Sequence, residues 1–316
     1  MIRRLLHRAA VLVLSVAGAS LVVFGFMRVL PGDPARVALG VNASDDAVAQ
    51  LRTQFGLDRP AAVQYLDWVG GLLTLDPGIE FVSRAPIGPQ IADRLQVTLW
   101  LVGASMVLAL LVALPLGLWM AVRHRHWDGV AVSAVSQVGV AVPAFLAGIV
   151  LIAVFAVRLR WVPSGGWVVP AQDPLGFLQR LVLPAVSLAL VQGAVLARYI
   201  RSAVLDVLRE DYLRTARAKG LRPVQALVRH GLRNAAVPVV TVLGLQLATL
   251  LVGAVVIERV FVIPGLGSLL LDSVAKRELL TVQAVVMLLV VAVLVINFVV
   301  DLLYLVIDPR LRTGPR

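Results

Sequence analysis

The chain has 316 residues. Hydrophobic residues make up 59% of it and charged residues only 15%, and the mean hydropathy is +0.91. A soluble domain is usually about 45–50% apolar and about 25% charged, so this composition excludes a water-soluble globule, a disordered chain and a coiled coil. The sequence has no cysteine, which excludes disulfides, thiolate metal sites and a cysteine nucleophile. We therefore predict an integral membrane protein.

Six apolar runs are long enough to cross a bilayer as helices, which takes about 20 mostly apolar residues each. None of them alternates between apolar and polar positions, as strands of a membrane barrel do. The first run is too long for a signal peptide and lacks a small-residue cleavage site, so we predict that it is a retained helix. The predicted spans are Ala9–Leu30, Val97–Val122, Val130–Val157, Leu181–Leu205, Val237–Phe261 and Val282–Ile307.

The net charge of +11 is distributed unevenly between the connecting segments. Residues 198–233 hold nine cations and three acids, a net charge of +6, whereas residues 31–96 hold five cations and eight acids, a net charge of −3. Basic residues next to spans favour the cytoplasm, which predicts that both termini are cytoplasmic. The basic stretch lacks interleaved aromatic residues for base stacking, so no nucleic-acid partner is predicted. The other cations on this side are Arg3, Arg4, Arg8, Arg123, Arg125, Arg310, Arg312 and Arg316.

Residues 31–96 are too many for a connection without structure of its own. Ser44 is predicted to cap a helix that stops at Gly56, and Pro60 is predicted at the first position of a second helix. We expect two short amphipathic helices outside the membrane. Tyr65 and Trp68 are expected in the core of this segment, with the membrane interface as the alternative.

The segment between the fourth and fifth spans carries the most specific pattern. Glu210 and Asp211 stand where a helix N-terminus favours acids, and Lys219 stands where a C-terminus favours a cation. Gly220 can adopt the left-handed conformation that ends a helix, and Pro223 can begin the next one. The order predicts a helix, a tight glycine turn and a second helix. A plain interfacial helix is the alternative, but it does not require a fixed turn.

This segment resembles the cytoplasmic EAA loop of the inner-membrane permeases of ABC importers, in particular the peptide and nickel branch. Arg214, Thr215 and Ala216 occupy the positions of the Glu-Ala-Ala, as is usual in that branch. The long outer segment and its Leu-Pro-Gly-Asp-Pro opening resemble the first ("B") permease of such systems. The matching stretches read DYLRTARAKGL from Asp211, RHGLRNAAVPVVT from Arg229, LPGDP from Leu30, FGLDRP from Phe55, ERVFVIPGLG from Glu258 and DLLYLVIDPR from Asp301.

The resemblance implies an all-α polytopic protein with six transmembrane helices and the type I ABC importer permease fold, in the bacterial inner membrane. The implied parts are an N-terminal transmembrane helix over residues 1–30 and an extracytoplasmic segment over 31–96. A permease core over 97–307, with a coupling loop at about 206–236, and a cytoplasmic tail over 308–316 complete the chain.

The resemblance also implies partners and cargo. A second homologous permease would share the path, and two ATPase subunits, or one fused ATPase, would bind ATP and Mg. An external binding protein would deliver di- or oligopeptides, with nickel chelates, glutathione or another small solute as alternative cargo. This chain is expected to bind no cofactor, because neither Lys219 nor Lys276 stands in a P-loop motif.

A coupling helix of this kind would lie in a groove on an ATPase subunit. Tyr212, Ala216 and Leu221 are the expected buried contacts, and Arg214 and Arg217 would face the partner. The complete predicted contact set is Glu210, Asp211, Tyr212, Arg214, Thr215, Ala216, Arg217, Lys219, Gly220 and Leu221.

Polar residues inside spans are the candidates for the translocation path, and helix–helix contact is the alternative role for each. No acid or base lies at mid-span, which favours a neutral, weakly selective passage over a proton relay. Pro115, Pro143 and Pro184 are expected to bend helices. The path candidates are Ser136, Gln137, Gln192, Gln246 and Asn297, and the candidates for docking the binding protein are Pro264, Gly265 and Gly267.

Two other functional classes conflict with the sequence. A secondary transporter commonly has internal repeats and ionisable or unwound midplane sites, and an intramembrane enzyme needs a nucleophile and a base. The sequence shows none of these, and it lacks the metalloprotease and serine-hydrolase motifs. All four histidines are predicted to be cytoplasmic. We therefore predict neither catalytic residues nor a metal site in this chain.

Overall fold

The computed structural model describes residues 2–29, 33–40 and 43–307. The predicted tail, and Leu30, Pro31 and Gly32 of the LPGDP stretch, lie outside this part of the chain. Every regular element in the described part is a helix, and an isolated bridge pairs Ile79 with Pro86. The helices are α1 (Ile2–Val29), α2 (Pro34–Leu39), α3 (Asp45–Gln54), α4 (Ala61–Leu73), α5 (Ile87–Val122), α6 (Trp127–Ala141), α7 (Ala144–Leu151), α8 (Pro174–Leu208), α9 (Asp211–Ala218), α10 (Pro223–Ala226), α11 (Leu232–Val260), α12 (Leu266–Ala275) and α13 (Leu279–Ile307), with π-helical segments at Ile152–Arg158 and Leu227–Gly231.

Five continuous helices in the described part are long and apolar enough to cross a membrane. They correspond to the first, second, fourth, fifth and sixth predicted spans, so the all-α polytopic prediction is confirmed. α5 begins ten residues before its predicted span. The helix can include Pro89, because this proline lies in the first turn, where backbone N–H groups have no partner within the helix. The five are Leu5–Val29, Ile87–Val122, Pro174–Leu208, Pro238–Val260 and Leu279–Leu303.

The third predicted span is broken rather than continuous. α6 ends at Ala141, and the next helical stretch, Ala144–Arg158, departs at an angle of 99°. Val142 has an extended backbone because the ring of Pro143 disfavours a helical residue before it. Counting this bent pair as one span gives the six that the sequence predicts. Pro115 and Pro184 lie inside the continuous helices α5 and α8.

The described residues form two compact units. The described residues of the bundle unit are Leu99–Ile263 and Ile296–Ile307. α8 is its central helix and packs against α6, α7 and α11. α5 approaches α8 closely at Gly117, where an added Cβ would lie 2.7 Å from the side chain of Ile200. Small residues allow such close helix packing in membranes.

The outer-segment unit comprises Ile2–Thr98 and Pro264–Val295. Trp68 of α4 is buried against Val23 of α1 and Met287 of α13. The hydroxyl of Tyr65 lies 2.8 Å from Ser20 Oγ, within hydrogen-bonding distance. Trp68 is therefore buried as expected, but its buried partners belong to α1 and α13 rather than to the outer segment alone, and Tyr65 is half-buried.

The outer segment contains three short helices where two were predicted. Ser44 caps α3 as expected, accepting the N–H of Ala47, and Pro60 precedes α4 by one residue. The additional helix α2 begins at Pro34 and is capped by Asp33, which accepts the N–H of Ala35 at 3.2 Å. An Asp-Pro pair at the cap and first position is a signal that could have predicted this helix.

Candidate functional site

The predicted helix–turn–helix is present. α9 follows Glu210, has Asp211 in its first turn and ends before Lys219. The N–H of Gly220 donates to Arg217 O at 3.0 Å, and the N–H of Leu221 donates to Ala216 O at 3.3 Å. These two bonds form a Schellman motif, which closes a helix through a left-handed residue. We call residues 210–226 the coupling segment.

Gly220 is the residue that makes the turn possible. Its φ is +94°, a backbone conformation that residues with a Cβ rarely adopt. No other atom lies within 4 Å of the position that an added Cβ would occupy. The requirement for glycine is therefore conformational rather than steric. α10 begins at Pro223 as predicted, and the N–H of Arg222 donates to Gln225 Oε1 at 3.2 Å.

One face of α9 is fixed to the bundle unit by Leu213, which is 1% exposed. A Cβ added at Gly231 would lie 2.8 Å from Leu227 Cδ1, 3.0 Å from Val207 Cγ1 and 3.4 Å from Leu213 Cδ1. These distances show that Gly231 of the π-helical segment Leu227–Gly231 packs closely against both the end of α8 and Leu213 of α9.

A hydrogen bond connects α9 to the next membrane helix. Asn234 Nδ2 donates to the hydroxyl of Tyr212 at 2.9 Å, and Asn234 lies in the first turn of α11. α9 therefore contacts the π-helical segment Leu227–Gly231 through Leu213 and the start of α11 through Tyr212. No residue pattern that we can identify in the sequence predicts the π-helical segment Leu227–Gly231.

The opposite face of α9 is open. Ala216 and Leu221 are half-buried, and the ion pair of Arg214 with Asp211, 3.5 Å long, is exposed and holds little energy. The exposed face is therefore mostly charged, and the half-buried Ala216, three residues from Leu213, lies beside the buried side of the helix. Tyr212 is also partly exposed, although its hydroxyl is bonded to Asn234. The other exposed residues of the predicted contact set are Glu210, Asp211, Arg214, Thr215, Arg217, Lys219 and Gly220.

The path candidates occupy different environments in the bundle unit. Gln192 on α8 and Gln246 on α11 are buried, and Ser136 on α6 is half-buried with its hydroxyl 3.8 Å from Met120 Sδ. Gln137 on α6 and Asn297 on α13 are exposed. Polar groups exposed on membrane helices usually face a water-filled path or another protein. Their role in a path stays a prediction.

The docking candidates lie at the start of α12. Gly265 and Gly267 are buried and Pro264 is half-buried. The N–H of Leu266 donates to Thr98 Oγ1 at 2.9 Å, so this turn is held within its own unit. A binding protein at this turn would reach mainly Pro264, and the docking role stays a prediction.

Two buried glutamates in the outer-segment unit were missed by the sequence analysis. Glu278, 1% exposed, lies between α12 and α13 and accepts the backbone N–H groups of Phe81 at 2.7 Å and Val82 at 2.8 Å. A third N–H, from Ser83, is 3.4 Å away. Buried carboxylates need such donors, and no local pattern predicts bonds between residues almost 200 positions apart.

Glu80 completes this arrangement. Its carboxylate accepts the hydroxyl of Thr281 at 3.1 Å and the hydroxyl of Ser83. The loop itself is closed by backbone bonds from Glu80 to Ala85 O and from Ile87 to Gly78 O, 2.9 and 3.0 Å long. The glutamate pair, Glu80 and Glu278, therefore holds the loop of residues 78–87 to the start of α13.

Two family descriptions match the chain. "Binding-protein-dependent transport system inner membrane component" matches residues 113–313, and its N-terminal counterpart, "Binding-prot-dependent transport system membrane comp, N-term", matches residues 1–102. The chain belongs to this family. It is a multi-pass inner-membrane permease subunit of a peptide/nickel-type ABC importer, as the sequence analysis predicted.

The relatives of this permease match it over its whole length. The chain is 40% identical over 315 residues, 99% of both chains, to the glutathione transport system permease protein GsiC of Salmonella typhimurium (strain LT2). It is 41% identical over 296 residues, 93% of both chains, to the protein of the same name from Escherichia coli (strain K12).

Two solved structures share the fold. An inward-facing MetNI methionine ABC transporter superimposes with a TM-score of 0.57 at 20% identity, over 69% of this chain and 96% of that one. An amino acid ABC transporter solved with histidines gives a TM-score of 0.53 at 16% identity, over 68% of this chain and 92% of that one. These likenesses show the type I importer permease fold.

Proposed function

We propose that this permease is one half of the membrane path of an importer for glutathione or other short peptides. The relatives at about 40% identity are named for glutathione transport. The bundle unit offers buried amides at Gln192 and Gln246. Such groups suit a cargo whose amide groups need few fixed partners. A second homologous permease would supply the other half of the path.

ATPase subunits below the membrane would drive the transport, and ATP and Mg would bind to them rather than to this chain. The observation that carries this proposal is the geometry of the coupling segment. Its inner face is fixed by Leu213 and by the Tyr212–Asn234 bond, and its outer face is exposed. A rigid element with one open, charged face is what an ATPase groove could hold.

The same geometry supports a mechanism of coupling. α9 packs on the π-helical segment Leu227–Gly231, which in turn packs on α8, and α9 is hydrogen-bonded to the start of α11. A displacement of α9 would therefore act on the ends of both membrane helices. Close-packed helices such as those of the bundle unit can adopt few alternative arrangements. Closure of the ATPase dimer would therefore change the bundle unit between discrete states, as in other rigid-body transitions.

The orientation follows the positive-inside rule. The coupling segment and both termini would face the cytoplasm, and α2, α3 and α4 would face outward, where an extracytoplasmic binding protein delivers the cargo.

Reconstitution tests this function. The permease would be purified with its partner permease, ATPase and binding protein and placed in liposomes with ATP on the ATPase side. We expect uptake of radiolabelled reduced glutathione or of labelled dipeptides and tripeptides that requires both ATP and the binding protein. Uptake of a nickel chelate alone would reassign the cargo, and uptake driven by an ion gradient without ATP would refute the proposal.

A further inference from the structure

The helix α4 packs beside two membrane helices, although the sequence predicts it outside the membrane. The hydroxyl of Tyr65 lies 2.8 Å from Ser20 Oγ of α1. One turn further along α4, Trp68 is buried against Val23 of α1 and Met287 of α13. All of these residues belong to the outer-segment unit. They therefore fix the position of α4 along α1 and α13.

These contacts give the depth of α4 in the membrane. The membrane-spanning part of α1 is Leu5–Val29, and Ser20 stands nine residues before its end, about 13 Å at 1.5 Å per residue. Met287 stands eight residues after the start of the span Leu279–Leu303, about 12 Å along α13. The hydrocarbon core is about 30 Å thick, so one leaflet measures about 15 Å. α4 is therefore level with one leaflet, the outer one in the orientation that the charges predict.

A second side of α4 is apolar and exposed. Ala62, Leu66 and Leu73 are separated by four and seven residues and so share one side of the helix, away from Trp68. All three are exposed, Leu66 to 66% and Leu73 to 81%. We call these three residues the apolar stripe. Exposed apolar surface of this kind marks contact with a membrane or with another protein.

The polar residues of α4 occupy its third side. Gln64 and Asp67, three residues apart, line a half-open cavity of about 660 Å³ together with Arg59. Asp67 pairs with Arg59 at 2.7 Å, and Gln64 Nε2 donates to Arg59 O at 2.8 Å. Helices that lie in a membrane surface keep a polar side toward water and an apolar side among the acyl chains. α4 has this division, with its polar groups on the cavity and none on the apolar stripe.

The backbone at the end of α4 also suits an apolar environment. Hydrocarbon offers no hydrogen bonds, so a helix end at membrane depth needs partners within the protein. The carbonyls of Gly70, Gly71 and Leu72 accept N–H groups of residues 74–76 at 2.8–3.3 Å. The hydroxyl of Thr74 donates to the first two of these carbonyls as well, at 3.0 and 3.1 Å.

We propose that α4 is embedded in the outer leaflet, with lipid acyl chains against its apolar stripe and its polar side toward water. Depth favours lipid over a protein partner, because Leu21 and Val22 of α1, next to Ser20, are likewise apolar and exposed, at 58% and 70%. Helix surfaces that face lipid have this character. α4 is then a lipid-binding element on the outer side of the permease, and only the side with Asp67 is open to soluble partners.

The first test compares the water access of two adjacent residues of α4. The chain has no cysteine, so Leu66→Cys and Asp67→Cys each introduce its only thiol. Both native side chains are more than half exposed, one on the apolar stripe and one on the polar side. Intact spheroplasts that contain the complete transporter would be treated with a membrane-impermeant maleimide, and the permease would be isolated by a tag before its labelling is measured. Leu73→Cys repeats the measurement at the other end of the stripe.

We expect Asp67→Cys to react at least about tenfold faster than Leu66→Cys and Leu73→Cys, because the reagent attacks the thiolate and a thiol in apolar surroundings stays protonated. Equal rates in Leu66→Cys and Asp67→Cys would show that water reaches the stripe and would overturn the proposal.

The second test identifies what covers the stripe. Photoreactive benzoylphenylalanine would replace Leu66 in cells that express the complete transporter, and the purified permease would be analysed by mass spectrometry after irradiation. We expect adducts with phospholipid. A cross-link to the partner permease or to the binding protein instead would assign the stripe to a protein partner and overturn the proposal.

Discussion

Leu213 is the residue on which the position of α9 depends most. It is almost completely buried in an exposed helix of eight residues, beside Gly231 of the π-helical segment. The other residues of α9 are exposed or half-buried, so they contribute little apolar burial. A short helix has little stability of its own. Its fixed orientation must come from this side chain and from the Tyr212–Asn234 bond.

We predict that Leu213→Ala detaches α9 from the bundle unit. Truncating a buried leucine to alanine destabilises the folded state by about 2–5 kcal/mol. The remaining contacts of this short helix are too few to compensate for that loss. Amide hydrogen exchange in residues 211–218 should accelerate strongly, and ATP-dependent uptake should fall to background. Leu175→Ala, at an exposed leucine of α8, should change neither. Native exchange rates in Leu213→Ala would show that this side chain does not hold the helix.

At the scale of elements, residue types in the sequence predicted those helix ends that depend on neighbouring residues in the chain. The caps at Ser44 and Gly220 and the start of α10 at Pro223 depend on backbone groups only a few residues away, so their residue types sufficed. The apolar runs likewise predicted five helices. Hydropathy alone is continuous through residue 143, but the prediction that Pro143 bends its span is confirmed by the 99° break at that proline.

Contacts between distant elements could not be predicted in this way. Glu278 looks like any acid at a helix start, and only the fold shows that it accepts N–H groups from a loop almost 200 residues earlier. Gly265 and Gly267 were predicted from the sequence to help dock a binding protein, and only the fold shows that packing within their unit buries them.

We predict that Glu278→Gln releases the loop of residues 78–87. The amide keeps the size of the side chain but replaces one acceptor oxygen with an NH₂ group that faces backbone donors. A lost hydrogen bond to a buried charge is worth about 1.5–3 kcal/mol, so the amide protons of Phe81 and Val82 should exchange at least about tenfold faster by mass spectrometry. Asp46→Asn, an exposed acid of α3, should leave these rates unchanged. Unaltered protection in Glu278→Gln would contradict the role of the glutamate pair.

At the scale of the whole molecule, the sign of the charges predicts which segments face the cytoplasm. The absence of cysteine makes this orientation directly testable, because every introduced thiol is unique. We predict that Arg217→Cys reacts with a membrane-impermeant maleimide only after the cells are opened, and that Asp46→Cys reacts in intact spheroplasts. Both side chains are exposed, so access alone decides the result. The reverse pattern would invert the proposed topology.

We propose that the coupling segment transmits the movement of the ATPase subunits to the bundle unit, and that its turn requires glycine at position 220. Gly220→Val places a β-branched residue at φ +94°, which costs about 1–3 kcal/mol and opens the Schellman turn. Gly40→Val is the matched control, because Gly40 has φ +84° and, like Gly220, no atom within 4 Å of an added Cβ, yet it lies in the outer segment.

The decisive measurement is the ratio of peptide uptake to ATP hydrolysis in proteoliposomes that contain the complete transporter. We predict that Gly220→Val abolishes uptake and the stimulation of ATP hydrolysis by loaded binding protein, while Gly40→Val retains both. Wild-type uptake and stimulation in Gly220→Val would contradict the account.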